Sequence, residues 1–372
     1  MSVHGYAAPE TGAAYSRAHL LTQRLGDRGG LYATLSGQFS YHFVRGDQAM
    51  MRQLTQEATT TADSLSDDSL RLVGLRLAGL SALHFGEFEE AKTALETIVR
   101  SYDASKHRLP PDHYVHDPKL YALGYLAVIL WIQGYPDKAR QWSAAAIDYA
   151  AELNHANMSA FARVYGGAGL YELLRDTSTV RSHADAIIEL AEQHSLHYFQ
   201  LSGIILRGWL MAWDGDVTQG TALMRRTIDE RFALGVGWYQ TRYLCMVAEI
   251  CLEHGDGGAG RELIEQAKGH MDCHDEHIWQ AEAQRIEAEL LRLEGAAPTE
   301  IENCFRNALS TARRQGAKSF ELRTATSLAR FCREQGRNDA ARNELAPVVG
   351  WFTEGFNTAD LQQARTLLNE LG

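Results

Sequence analysis

LHFGEFEEAKT at 83–93 and LWIQGYPDKAR at 130–140 share one layout: apolar residues run into a glycine, an aromatic position, an acidic residue, and Ala beside a basic residue. Aligning the chain on this pattern puts turn glycines at Gly46, Gly86, Gly134, Gly215, Gly255, Gly295 and Gly336. The gaps are 40, 48, 81, 40, 40 and 41 residues; the gap of 81 is two units, with its missing turn at Arg175-Asp176 in YELLRDTSTV. A period near 40 residues therefore runs through almost the whole chain, which marks a repeat array.

A second marker is independent of the first. Seven residues before each turn position stands a small residue: Gly79, Ala127, Ala168, Gly208, Ala248, Ala288 or Ala329, with Phe39 breaking the rule in the first unit. Seven residues are two helical turns, so the small residue shares a face with the turn and lets a neighbouring helix come close. Five residues after the turn another small residue opens a second helix, as at Ala91, Ala139, Gly220, Gly260 and Ala341. Each unit thus reads as two antiparallel helices joined by a turn whose glycine supplies the left-handed conformation. One such hairpin cannot bury its apolar face alone, but stacked neighbours can.

This pattern resembles the tetratricopeptide family, although the period exceeds that family's usual 34 residues. The resemblance implies an all-α fold: a right-handed superhelical solenoid of about eight tetratricopeptide-like hairpins. The expected organisation is an N-terminal capping helix at 1–28, the array at 29–356 with a loop insertion at 101–118, and a C-terminal capping helix at 357–372. The insertion carries the one Pro-Pro pair, Pro110-Pro111, and is a candidate lip of the groove. HYFQLSGIILRGWLMAWDGD (197–216), CFRNALSTARRQGAKSFELRTATSLARFCREQGR (304–337) and LAPVVGWFTEGFNTADLQQARTLLNEL (345–371) are similar to the C-terminal helical region of large bacterial signalling proteins. GYAAPETGAAYSRAHLL (5–21) and SYDASKHR (101–108) look like the same array. In those proteins a class III nucleotide cyclase or another output module comes first and a signalling ATPase next, so the resemblance implies a cyclase or signalling ATPase as partner. The chain itself has neither a P-loop GxxxxGK[ST] nor a cyclase segment, so neither activity carries over.

Composition narrows the class further. Of 372 residues 45% are apolar and 22% charged, enough for a continuous core and too ordered a mixture for disorder. A net charge of −11 disfavours nucleic acid as a partner. Five cysteines without a CxxC pair read as free thiols of a reducing compartment. No signal sequence opens the chain, and its longest apolar run, YALGYLAVILWI at 121–132, is too short to span a membrane. The expected location is the cytoplasm.

Signals that look chemical have plainer readings. HGDGGAG at 254–260 matches GxGxxG, but a helix precedes it where a dinucleotide site needs a strand. HMDCHDEH at 270–277 offers His270, Cys273, His274 and His277 with Asp272 and Glu276. Gly269 is expected to end the preceding helix and the next to begin near Glu276, which leaves a polar connector and no metal site. VYGGAGL at 164–170 falls on a helix around Ala168. No catalytic constellation stands out, and no cofactor or metal is expected.

The resemblance to the tetratricopeptide family implies that the first helix of each hairpin lines the concave side, with groove positions six and three residues before the small residue and one and four after it. In this register the middle of the groove is aromatic (Tyr121, Trp131, Tyr165, Trp209 and Trp213), and its C-terminal end carries Arg242, Arg285, Arg292, Arg323, Arg330 and Arg333. Aromatic and Arg side chains suit an apolar body and an anionic group. The alternative is that Glu249, Glu282 and Glu289 pair these arginines along a solvated face. The expected function is a non-catalytic binding or sensor module of bacterial signalling. Its partner would be a peptide, a protein segment or a small anionic ligand. The alternative function is an enzyme that uses the enclosed groove as its active site.

Overall fold

The computed structural model describes residues 5–108 and 117–371, and every regular element among them is helical. α1 (Pro9–Leu25) packs on the first of eight hairpins: α2 (Arg28–Arg45) with α3 (Gln48–Leu65), then α4 (Asp68–His84) with α5 (Phe88–Ser101). A short α6 (Ala104–His107) precedes α7 (Pro118–Ile132) and α8 (Pro136–Leu153). The fourth unit runs from α9 (Ala156–Phe161) through a π-helical stretch, Ala162–Ala168, into α10 (Gly169–Leu173), and pairs with α11 (Thr177–His194). Next come α12 (His197–Trp213) with α13 (Val217–Ala233), and α14 (Gln240–Glu253) with α15 (Gly257–His274). The last hairpins are α16 (Gln280–Leu293) with α17 (Pro298–Gln315), and α18 (Lys318–Glu334) with α19 (Asn338–Trp351). α20 (Ala359–Glu370) packs on α18 and α19. Of the loop insertion, 109–116 with Pro110-Pro111 lie outside the described residues; the part before them forms α6.

The turns have one chemistry. All seven turn glycines have positive φ, and Arg175 takes the same left-handed conformation at φ 59° where glycine is missing. After the turn an aspartate often caps the second helix: Asp47, Asp176, Asp216 and Asp256 each accept from the backbone N–H three residues on. A cap of this kind is worth about 1 kcal/mol. The small residues are the contact points between the two helices: a Cβ on Gly208 would meet Met224 Cγ at 2.7 Å and the Gly220 carbonyl at 2.8 Å. One local expectation needs correction. α15 continues through Gly269 to His274, because Gly269 keeps helical backbone, and the next helix starts only at Gln280. VYGGAGL lies on a helix, with Ala162–Ala168 π-helical and Gly169 opening α10, and Gly166 there lies within 3.4 Å, Cβ position to Cα, of Gly124 in α7.

The first helices of the hairpins form the inside and the second helices the outside. Fourteen of the 15 residues of α7 are buried, and four of the 14 in α5, so α7 is surrounded while α5 keeps a wet face. The solenoid winds tightly enough that unit n meets unit n+5. Gly237 and Trp238 N–H donate to the Val44 carbonyl (2.8 and 2.9 Å), and His277 N–H donates to the His84 carbonyl (2.9 Å). The Ser319 hydroxyl donates to the Trp131 carbonyl, and one unit nearer, between the fourth and the eighth, the Arg323 guanidinium donates to the Leu173 carbonyl. Each acceptor sits in the last turn of an inner helix, where carbonyls have no intrahelical partner. The next superhelical turn therefore satisfies the helix ends of the previous one. This closure turns the inner face from an open groove into an interior.

Candidate functional site

Inside units 1 to 6 the inner helices enclose an aromatic cage. α7 supplies Tyr121 and Tyr125, and α9 ends at Phe161. The π-helical stretch presents Tyr165, α12 carries Tyr198 in its first turn, and Trp238 lies just before α14. These rings surround a small cavity of about 20 Å3, floored by Ser40, Phe43 and Leu80. Phe161 lies 4.3 Å from Tyr121 and 5.0 Å from Tyr165, centroid to centroid, and the Tyr165 and Tyr198 hydroxyls are hydrogen-bonded. Burial pushes Tyr125 and Tyr165 well above the ordinary phenol range, so both hydroxyls stay neutral. Tyr239, beside the cage, holds φ 67°. A left-handed bulky residue costs on the order of 1–3 kcal/mol and is kept only where its surroundings fix it.

A second cavity, about 310 Å3, lies between the N-terminal segment and the start of α12, lined by Pro9, Asn157, Leu196, Leu201, Leu234 and Val236. Tyr6, Tyr198 and Phe199 belong to both cavities. The Tyr6 ring packs 5.1 Å from Tyr198 and 6.2 Å from Phe199, and its hydroxyl donates to Asn157 Oδ1 at 2.9 Å. Arg45 holds the segment by donating to the Ala7 carbonyl at 3.0 Å. Tyr6 therefore stands between the cage and the outer cavity like a stopper. A larger cleft of about 750 Å3 runs where the second and third units meet the seventh and eighth. It is open and mixed in charge, and its ions pair locally, as Lys92 with Glu89 and Lys318 with Glu321.

The groove residues expected from the sequence are separated by the closure. Tyr121 and Tyr165 join the cage. Trp131 is buried under the eighth unit, 5.7 Å from Phe320 and 4.8 Å below the Arg323 guanidinium. Trp209 is buried and Trp213 exposed at the edge of an ionic network. In that network Arg242 pairs with Glu172, and Arg285 with Glu282 and Glu249 at 2.9 Å each. Arg323 pairs with Glu282 and Asp360 at 2.8 Å each. Burial alone would raise the Glu282 carboxyl, but Arg285 and Arg323 hold it well below the carboxylate range. Arg292 meets Glu289 and Glu334, Arg333 meets Glu370, and Arg330 donates to Gln363 at 3.3 Å. The C-terminal end of the inner face is thus largely neutralised by its own carboxylates.

HMDCHDEH lies on the seam between units 1–2 and 6–7. His274 Nδ1 is 3.1 Å from the Gly46 carbonyl, His84 Nε2 is 2.8 Å from the His274 carbonyl, and Arg52 pairs with Asp275. Burial drops His84 and His270 to about 4 and raises Glu276 to about 7; the Thr241 hydroxyl donates to Glu276 at 2.7 Å. Among the described residues no three His, Cys, Asp or Glu side chains are grouped to hold a metal ion.

Five inner-face residues escaped the sequence reading, which applied the groove register only from the third unit. Extended to the first two units, it gives Ser36, Ser40 and Phe43, then Arg76 and Leu80. Ser40, Phe43 and Leu80 line the cage, and Arg76 lies 4.9 Å from the Tyr121 ring.

No family model matches the chain. The uncharacterized protein R02095 of Rhizobium meliloti (strain 1021) is 22% identical over 247 residues, 66% of this chain. The match spans about a quarter, 24%, of that relative's length. Among solved structures, a Rap protein complexed with competence and sporulation factor superposes with a TM-score of 0.55 at 10% identity, covering 91% of this chain and 96% of that one. The apo quorum sensor NprR from B. thuringiensis gives 0.53 at 12% identity, covering 92% and 97%. These neighbours are tetratricopeptide-like helical-repeat proteins, and at such identities the likeness is one of fold. Among the described residues no helix is long and apolar enough to cross a membrane.

Proposed function

We propose that this chain is a sensor or binding module whose aromatic cage receives the apolar, ring-bearing part of a peptide or small-molecule ligand, admitted when Tyr6 withdraws. The observation that carries the reading is the stopper. A side chain of the protein's own N-terminal segment lines both an aromatic cavity and an outer cavity of about 310 Å3, at the low end of ligand-pocket size. The cage lining has phenols and one serine but no histidine, cysteine, carboxylate or lysine, which supports binding over catalysis. Two structural neighbours, one complexed with competence and sporulation factor and the other a quorum sensor, are consistent with a ligand-sensing array of this shape. The segments 197–216, 304–337 and 345–371 resemble the C-terminal region of multidomain signalling proteins, and the chain matches 24% of the length of an uncharacterized relative. On this reading a cyclase or signalling ATPase is the component that the sensor informs, in the cytoplasm of a bacterium.

The test is Tyr6→Ala. Tyr6 competes in cis for the cage, so the competent fraction of the wild type is reduced and apparent affinity falls with it. Calorimetry with 4-hydroxyphenylacetamide, a neutral phenol, should give about five- to tenfold tighter binding to the variant. Equal or weaker binding by Tyr6→Ala, with helicity intact, would remove the stopper from the account.

A further inference from the structure

Arg76 on α4 is wholly buried, and among the described residues no group accepts from any of its three guanidinium nitrogens. The other interior arginines are met. Arg231 donates to Ser202, the Trp238 carbonyl and the Tyr198 carbonyl, and Arg242, Arg285 and Arg323 have carboxylates. A buried guanidinium without a partner is disfavoured far more than an apolar residue of its size. The carboxylate nearest in charge, Asp117, caps α7 through the Leu120 N–H and accepts from the Tyr102 and Tyr149 hydroxyls, and makes no ion pair with Arg76.

Arg76 is not isolated in this. On the neighbouring inner helix, α2, the Tyr32 hydroxyl and the Ser36 hydroxyl are also buried and without partners. Tyr32 and Arg76 sense each other's charge. Ser36 occupies in unit 1 the groove position that Arg76 occupies in unit 2, three residues before Phe39 and Gly79 respectively. Arg76 and Ser36 thus hold equivalent inner-face positions on the packed helices α4 and α2, with Tyr32 one helical turn before Ser36. Tyr121 links this cluster to the cage: its ring lies 4.9 Å from Arg76 and also lines the cavity.

We propose that Arg76, Tyr32 and Ser36 bind a single carboxylate belonging to the ligand that the cage receives. The fork of Arg76 matches two carboxylate oxygens, and the hydroxyls supply further donors. A phosphate dianion is disfavoured, because one cation faces it with Asp117 close by. The carboxylate comes either from a small aromatic acid or from the C-terminus of a peptide ending in an aromatic residue. This proposal rests on the cage being a binding site, and the experiment separates the two claims.

Calorimetry and thermal melting of the full chain would compare 4-hydroxyphenylacetate with 4-hydroxyphenylacetamide, and Ala-Ala-Tyr with its C-terminal amide. At least one free acid should bind about tenfold or more tighter than its amide, as expected of charge-assisted hydrogen bonds. Preference for the small acid identifies a metabolite-like ligand, and preference for the free peptide a C-terminus. In Arg76→Met the advantage of the acid should vanish and the melting temperature without ligand should rise. Arg76→Lys should keep part of the advantage. Amides binding as tightly as acids would overturn the carboxylate site and leave the cage standing. Failure of all four to bind would overturn both, as would an Arg76→Met chain that keeps the acid preference overturn the assignment to Arg76.

Discussion

Gly220 sits where α13 crosses α12 backbone to backbone. A Cβ there would lie 2.5 Å from the Gly208 carbonyl oxygen and 2.7 Å from the Ala212 nitrogen, neither of which can swing aside. Gly220→Ala should therefore cost about 2 kcal/mol through overpacking, read by urea denaturation. Gly269 is the opposite case, inside α15 with helical backbone and nothing near a Cβ. Gly269→Ala should stabilise by about 0.5–1 kcal/mol in the same assay. A loss at Gly269 would mean that the helix ends there. The small residues at seven before and five after each turn were legible in the sequence because their spacing is fixed by helix geometry. Gly269 was misread because glycine is as often a helix stop as a tolerated interior residue, and no cap residue follows to decide between them.

α16 and α18 bring their charges inside, and the network they build is sensitive to its central member. Glu282 accepts from both Arg285 and Arg323 and is fully buried. Glu282→Gln leaves two guanidinium groups short of charge and should destabilise by about 3 kcal/mol, although Glu249 and Asp360 remain. Removing the exposed Arg207–Asp185 pair should change stability by less than about 0.5 kcal/mol. That α16 and α18 carry arginines and glutamates on their inner face was legible from the register. That the two helices use them on each other was not, because pairing depends on how far the solenoid winds. The seam formed by α4, α15 and the loop after it gives a pH prediction. His84 and His270, dropped to about 4, hold fewer protons folded than unfolded, so their contribution is full above about 6.5 and is lost as pH falls towards 4. Glu276, raised to about 7 by burial, acts in the opposite sense, favouring the fold as pH falls from 7 towards 4.5 and offsetting His270, whose Nε2 lies 3.5 Å from its carboxyl. The net loss is roughly 1 kcal/mol per pH unit on acidification. A variant with His84→Gln and His270→Gln should lose less stability than the wild type between pH 6.5 and 5, and an equal or larger loss contradicts this assignment.

At the scale of the whole molecule, a period near 40 and the hairpin architecture follow from sequence, since each unit contacts its sequence neighbours and repeats their chemistry. The meeting of unit n with unit n+5 does not follow, because a small rotation per unit accumulates into it without leaving a local mark. Only afterwards are its residues recognisable: Trp238 seated on Val44, His277 on His84, Ser319 on Trp131. On the proposed reading closure decides the site, since it neutralises the arginine end of the inner face and leaves an aromatic cage behind Tyr6. Hydrogen–deuterium exchange of the full chain, with and without saturating 4-hydroxyphenylacetamide, tests this most directly. The account predicts faster exchange in the N-terminal segment around Tyr6, which the ligand displaces, and slower exchange in the π-helical stretch 162–168 and at the start of α12, with α16 and α18 unchanged. Protection confined to α16, α18 and α20, around Arg292, Arg330 and Arg333, would contradict it.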